Sequence, residues 1–124
     1  MPDPWEILKS LADPTRLRII HLLDKDEFSV AEMQEILGMG QSRISTHLAT
    51  LRKGNLVLDR KEGKKTYYRR KTGPDEEERI VEAALAALAD RPESRKDLVS
   101  LKRALDKRRR ATERYFNAVA GRLG

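Results

Sequence analysis

The sequence predicts a mainly α-helical fold carrying one small β-hairpin. Three observations lead there. Apolar residues recur at three- and four-residue spacing from Trp5 to Leu51. The pattern then changes to β-formers at Leu56–Leu58 and Thr66–Tyr68. Helical spacing resumes beyond Gly73-Pro74.

The first helix is expected over Trp5 to Leu11, with Trp5, Leu8 and Leu11 on one face. Asp13-Pro14 restarts the chain, Asp13 as N-cap and Pro14 as first helical residue. Leu17, Ile19, Ile20 and Leu23 supply the apolar stripe of a second helix, which ends near Asp24. Lys25-Asp26-Glu27 reads as a polar turn. Ser29-Val30-Ala31-Glu32 has the spacing of a capping box and opens a third helix, with Val30, Met33, Ile36 and Leu37 inward. Gly38-Met39-Gly40 stops it, and a fourth helix begins at Gln41 with Ile44, Leu48 and Leu51 as its inner stripe.

Two helices joined by a short glycine-bearing turn form a helix-turn-helix. The outward face of the second carries Gln41, Ser42, Arg43, Ser45, Thr46 and Thr50, and no acidic residue occurs from Gln41 to Lys53. Short polar and cationic side chains on such a face suit phosphates and base edges. The segment that follows reads as a two-stranded hairpin within residues 57–70, with Gly63 at a cationic tip. A basic hairpin after a helix-turn-helix is the wing of a winged helix. Helix 41–53 would enter the major groove while the wing lies along the backbone.

Charge supports a polyanionic partner through its placement more than its total. The 124 residues carry a net charge of +6. Residues 41–71 hold ten basic side chains against Asp59 and Glu62, a balance of +8, whereas residues 1–40 balance to −4. A merely solvated surface would intermix the signs. The absence of cysteine excludes disulfides, thiolate metal sites and a cysteine nucleophile. No glycine-rich phosphate loop is present, and neither His21 nor His47 stands in recognisable spacing with a carboxylate, so no enzyme activity and no cofactor are expected. The N-terminus lacks a basic region followed by an apolar one, and no apolar run is long enough for a bilayer, so a cytoplasmic protein without membrane contact is expected.

Residues 1–72 are read as the DNA-binding unit and 73–124 as C-terminal helices. Asp75 to Asp90 forms a helix with acids in its first turn. Ile80, Val81, Ala84, Leu85 and Leu88 give it a broad apolar face that a partner subunit would cover. Glu93 to about Leu123 reads as a long or kinked helix, its Lys107–Arg110 run a solvated face.

Three motifs, in order, resemble the ArsR-type (arsenic-repressor) regulators. They are Leu11–Ile20, Gln41–Arg52, and a wing containing Gly54–Val57, Arg60–Lys65 and Tyr67–Arg69. The resemblance covers about half the chain. It implies a homodimer paired through its first helix (Trp5, Leu8, Leu11) and C-terminal helices, a repressor role on an inverted-repeat double-stranded operator, and release by a small-molecule effector. Carried over residue by residue, it places Gln41, Ser42, Ser45 and Thr46 in the major groove. Arg43 would reach base edges or flanking phosphates, with Arg52 and Lys53 farther along the same helix. Thr15 and Arg16 would meet phosphate. Arg60, Lys61, Lys64, Lys65 and Thr66 would line the wing, with Tyr68 the outward tyrosine. His47, on the edge of the inner face, is either structural or a DNA contact.

The resemblance stops at the sensor. Metal-sensing members carry a cysteine pair where this chain has Ser29 and Ala31, and the helix 75–90 has no histidine, so no metal is expected. Arg110–Asn117 resembles the segment that, in fused members, leads into a methyltransferase-like domain. This leaves two alternative readings: the DNA-binding part of such a fused sensor, or a winged helix serving as a protein-interaction module.

Overall fold

The computed structural model describes residues 3–123. Six helices and a small sheet follow the order α1 (Pro4–Leu11), α2 (Pro14–Lys25), β1 (Phe28–Ser29), α3 (Val30–Leu37), α4 (Gln41–Lys53), β2 (Val57–Glu62), β3 (Lys65–Arg70), α5 (Asp75–Ala89) and α6 (Pro92–Leu123). The local signals act as their chemistry requires. Asp13 accepts from the backbone N–H groups of Thr15 and Arg16 at 2.8 and 3.0 Å, and so starts α2. Ser29 and Glu32 cap each other's free N–H groups at the head of α3. Gly38, at φ +66°, turns the chain out of α3 in a left-handed conformation that a side chain resists.

The sheet is antiparallel with the order β1-β3-β2. The third strand corrects the two-stranded expectation: Phe28 pairs with Tyr68 and Ser29 with Tyr67. Two residues between a polar turn and a helix cap leave no periodicity to detect, and only the arrival of β3 makes them a strand. The hairpin is also tighter than the β-formers suggested. Glu62 pairs with Lys65, leaving Gly63 and Lys64 as a two-residue turn. Gly63 has φ +61° and Lys64 does not enter positive φ, the arrangement that wants glycine in first place.

Directly paired residues share a face of the sheet, and this register sorts the tyrosines. Tyr68 lies on the Phe28 side and packs against the core. Tyr67 takes the other face, beneath the Arg60 guanidinium 5.0 Å from its ring centre. The expectation that Tyr68 points outward is therefore corrected; the inner face of β3 is the one that the core and α4 cover.

The core joins α1–α4 to the sheet and to α5 and α6. Ile19, Ile20, Leu22, Phe28, Met33, Ile44 and Leu51 are fully enclosed. Each contributes about 1.5–3 kcal/mol through its removal from water. The α1 face differs from expectation. Ile7 and Leu11 point inward, while Trp5 and Leu8 remain 56% and 54% exposed. Leu11, Val81 and Leu85 are buried within the single chain, which corrects their assignment to a dimer face; α5 packs against α1 and α2. Ile80, Ala84 and Leu88 are half-buried.

Polar pairs fix the C-terminal helices. Arg18 grips Asp97 of α6 through two hydrogen bonds at 2.8 and 2.9 Å. One turn along α2, His21 is buried with its Nδ1 unpartnered, and burial pushes its pKa below the ordinary histidine value. The Lys107–Arg110 run is more than a solvated face. Lys107 pairs with Glu35 at 3.2 Å, and Arg108 holds Glu32 at 2.8 Å and the Glu27 carbonyl at 3.0 Å. Arg109 and Arg110 stay with their own helix, Arg109 near Asp106 and Glu113 and Arg110 donating to the Asp106 carbonyl at 3.4 Å.

Candidate nucleic-acid interface

The outer face of α4 follows from burial of its inner one. With Ile44, Leu48 and Leu51 in the core, helical geometry sends Gln41, Ser42, Arg43, Ser45, Thr46, Arg52 and Lys53 to the surface, and all seven are exposed. The helix starts at Gly40 without a side-chain cap. Its first N–H groups therefore stay free for an anion, unlike those of α2 and α3. None of the large exposed apolar side chains described lies on α4; they sit on α1, β2 and α6.

The wing stands beside this helix. Arg52 of α4 reaches Asp59 of β2 at 3.5 Å. Ser45, Ala49, Arg52 and Lys53 line a shallow depression together with Tyr68. Register places Lys61 and Thr66 on the same face of the hairpin as Asp59 and Tyr68, the face toward α4. Lys64 occupies the tip and Lys65 flanks it on the opposite face. Lys61, Lys64 and Lys65 are exposed and, among the described residues, form no ion pair. Their charge remains available.

Three predicted contacts have other work. Arg60 lies on the far face of the wing, bonded to Glu27 and, at 3.2 Å, to Glu62; those carboxylates raise its pKa and neutralise its charge. Thr15 is buried, with its hydroxyl accepting from Arg43 Nη2 at 2.9 Å. Arg16 is turned inward. Its Nε donates to the Ser10 carbonyl at 2.6 Å and its Nη2 to the Lys9 carbonyl at 3.1 Å, while Nη1 lies 3.4 Å from His47 Nδ1. Thr15 and Arg16 near the start of a helix, and Arg60 on the basic hairpin, were expected as DNA contacts. Only tertiary structure brings up the acceptors that occupy them.

Sequence reasoning passed over Arg69. It is exposed on β3 opposite Leu58, without an ion pair among the described residues. Its neighbour Arg70 is enclosed by Asp24 and Glu78. The alternation of a strand separates these adjacent arginines, once the inner face is known. Behind the wing lies an open groove of about 780 Å³ between α3 and α6, with Tyr67, Tyr115 and Phe116 in its wall. No group of three or more His, Cys, Asp or Glu side chains among the described residues is arranged to hold a metal ion.

Comparisons with known proteins agree with this geometry. Residues 13–58 match the family described as "Bacterial regulatory protein, arsR family". The arsenical resistance operon repressor of Escherichia coli (strain K12) is 46% identical over 67 residues, which are 53% of this chain and 57% of that protein. The chain thus spans little more than half of that relative's length. The biofilm growth-associated repressor of Agrobacterium fabrum is 38% identical over 80 residues, 64% of this chain and 67% of that protein. The structure of HlyU from Vibrio cholerae N16961 superimposes with a TM-score of 0.61 and 32% identity, over 69% of this chain and 91% of the other. With residues 13–58 matched to the family model, a 38% identical relative covered over 67% of its length and a shared fold, the chain belongs to the arsR family of bacterial regulatory proteins.

Proposed function

We propose that this chain is a dimeric, sequence-specific DNA-binding regulator that represses transcription. Helix α4 reads the major groove and the wing follows the adjacent backbone. One observation carries the reading: apart from the small Ala49, α4 exposes only polar and cationic side chains, and the wing turns the unpaired Lys61 toward it with Lys64 at the tip. A face of this kind attracts phosphate and offers donors to base edges. The dimer is proposed to form on the exposed part of α1, Trp5 and Leu8, together with the half-buried Ile80, Ala84 and Leu88 of α5. The signal that releases DNA differs in chemistry from a thiophilic metal, because Ser29 and Ala31 supply no thiolate.

Selection of genomic fragments by the purified protein tests the whole reading. An inverted repeat should emerge with half-sites about one helical turn, roughly 10 base pairs, apart. Recovery of fragments with no common sequence would end it. Within the selected site, Arg43→Ala should cost about 1–3 kcal/mol and relax preference at one position. An equal loss on every sequence would make Arg43 a phosphate contact instead.

Two charge insertions separate interface from core. Leu8→Glu should leave the melting temperature almost unchanged, since exposed substitutions shift stability by about 0.5 kcal/mol or less, yet yield monomers in sedimentation. Leu85→Glu should lose about 3–5 kcal/mol of stability, as an unpaired charge buried in a core does. A folded, monomeric Leu85→Glu protein would return that residue to the interface.

A further inference from the structure

We infer that Arg16 is a positioning residue that keys the end of α1 to the recognition helix, and so sets the pose in which α4 meets specific DNA. The inference rests on the DNA-binding reading above and adds a role for a residue outside the contact surface.

Three acceptors surround the Arg16 guanidinium. Two are the carbonyls of Lys9 and Ser10, in the last turn of α1, where carbonyl groups lack partners within the helix. The third is Nδ1 of His47, at 3.4 Å on the inner edge of α4. All three guanidinium nitrogens are engaged, which holds the guanidinium against α1 and α4. One planar cation thus joins the end of α1, the start of α2 and the middle of α4. His47 is half-buried between the inner and outer faces of α4, two residues past Ser45 and one past Thr46. A shift at His47 therefore moves the face proposed to read bases.

A second contact keys the same two helices at the other end of α4. A Cβ added to Gly54 would lie 2.6 Å from the Ser10 hydroxyl and 3.3 Å from its Cβ. Ser10 is itself buried and belongs to the turn that Arg16 caps. The last turn of α1 is consequently linked to α4 through Arg16 midway along its length, and Ser10 lies against the chain just beyond its C-terminus. Two contacts set an orientation, where one would leave a pivot. Helix α1 also carries Trp5 and Leu8, the exposed residues proposed for the dimer. Pairing of subunits and aim of the recognition helix then share one rigid element.

The experiment compares wild type, Arg16→Gln, Arg16→Lys, His47→Ala and the Arg16→Gln/His47→Ala double variant. Each binds the tightest genomic fragment and a scrambled duplex of equal length, over a range of salt. Arg16→Gln should lose affinity for the specific fragment within the range of about 5- to 150-fold typical of coupled sites. Its affinity for the scrambled duplex and its salt slope should hold. Arg16→Lys should fail to rescue, because one ammonium cannot span three acceptors in two helices. The double variant should lose no more than the worse single one, since both remove the same bridge. A salt slope shallower by about one, with rescue by lysine, would overturn the inference in favour of a phosphate contact. Additive losses would overturn it as well.

Hydrogen exchange without DNA gives a readout independent of operator binding. Arg16→Gln, or Gly54→Ala should that variant fail to fold, must speed exchange of amides in α4. Unchanged exchange there would remove the bridge. Wild-type protein that prefers no fragment would end the functional reading, and exchange in α4 would then decide the bridge by itself.

Discussion

Replacing Lys61, Lys64 and Lys65 together by glutamine should flatten the dependence of log affinity on log salt by about 2.7, at roughly 0.9 per neutralised phosphate. The physical basis is counterion release. Each lysine that meets a phosphate frees a condensed cation, and that gain shrinks as salt rises. These three side chains crowd the tip and flank of the wing, exposed and without ion pairs among the described residues. Raising salt from 50 to 200 mM should therefore cost wild type about 40-fold more affinity than the triple variant. Arg60→Gln is the matched control. Its charge is already satisfied by Glu27 and Glu62 on the other face of the hairpin, so the slope should barely change. Titrations of one duplex at four or five salt concentrations measure both. A triple variant with the wild-type slope would detach the wing from DNA, and an Arg60 variant with a much shallower slope would show that the Glu27 pair opens on binding.

Arg70→Ala should cost about 3 kcal/mol of folding stability, the lower end of the range for breaking a buried ion pair. The guanidinium is 8% exposed and lies between Asp24 at 2.8 Å and Glu78. It fastens the last residue of the wing to α2 and to the first turn of α5. Truncation strands two half-enclosed carboxylates that keep some water, which moderates the loss. The same site sets a pH dependence. Hydrogen bonds from Arg70 hold the Glu78 carboxyl below the usual carboxylate value of 4.5, against the opposing effect of burial. The unfolded chain therefore takes up the proton first as pH falls. Stability from this pair is fully present above about pH 4.5 and declines below it, until Glu78 protonates in the folded protein as well. Denaturant melts at neutral and acid pH should show wild type and Arg70→Ala converging as the pH drops. A constant gap between them would sink the assignment.

Much of this protein is legible residue by residue. Helix starts were readable because Asp13 and the Ser29/Glu32 pair act within three residues of themselves. The inner stripe of α4 was readable because Ile44, Leu48 and Leu51 are separated by whole turns of a helix. The outer face of α4 followed from that stripe without reference to any other element.

Helix α1 and strand β1 were less legible. In α1 both Trp5/Leu8 and Ile7/Leu11 make apolar faces, and the packing of α2 and α5 selects the second. Strand β1 has no pattern of its own and exists because β3 comes to lie beside it. Burial of one face of β3 against the core and α4 chose Tyr68 over Tyr67.

By itself the sequence determined the helices, the wing and the cationic middle of the chain, because caps, periodicity and charge are properties of neighbouring residues. Tertiary structure alone decided which of its charges remain free. Arg16, Arg60, Arg70 and Arg108 carry the same guanidinium as Arg69, which is exposed and without an ion pair among the described residues, but acceptors from Ser10, Glu27, Glu78 and Glu32 engage them. Those partners lie between 6 and 76 residues away along the chain. A cation's availability depends on what folds against it, and no local pattern records that.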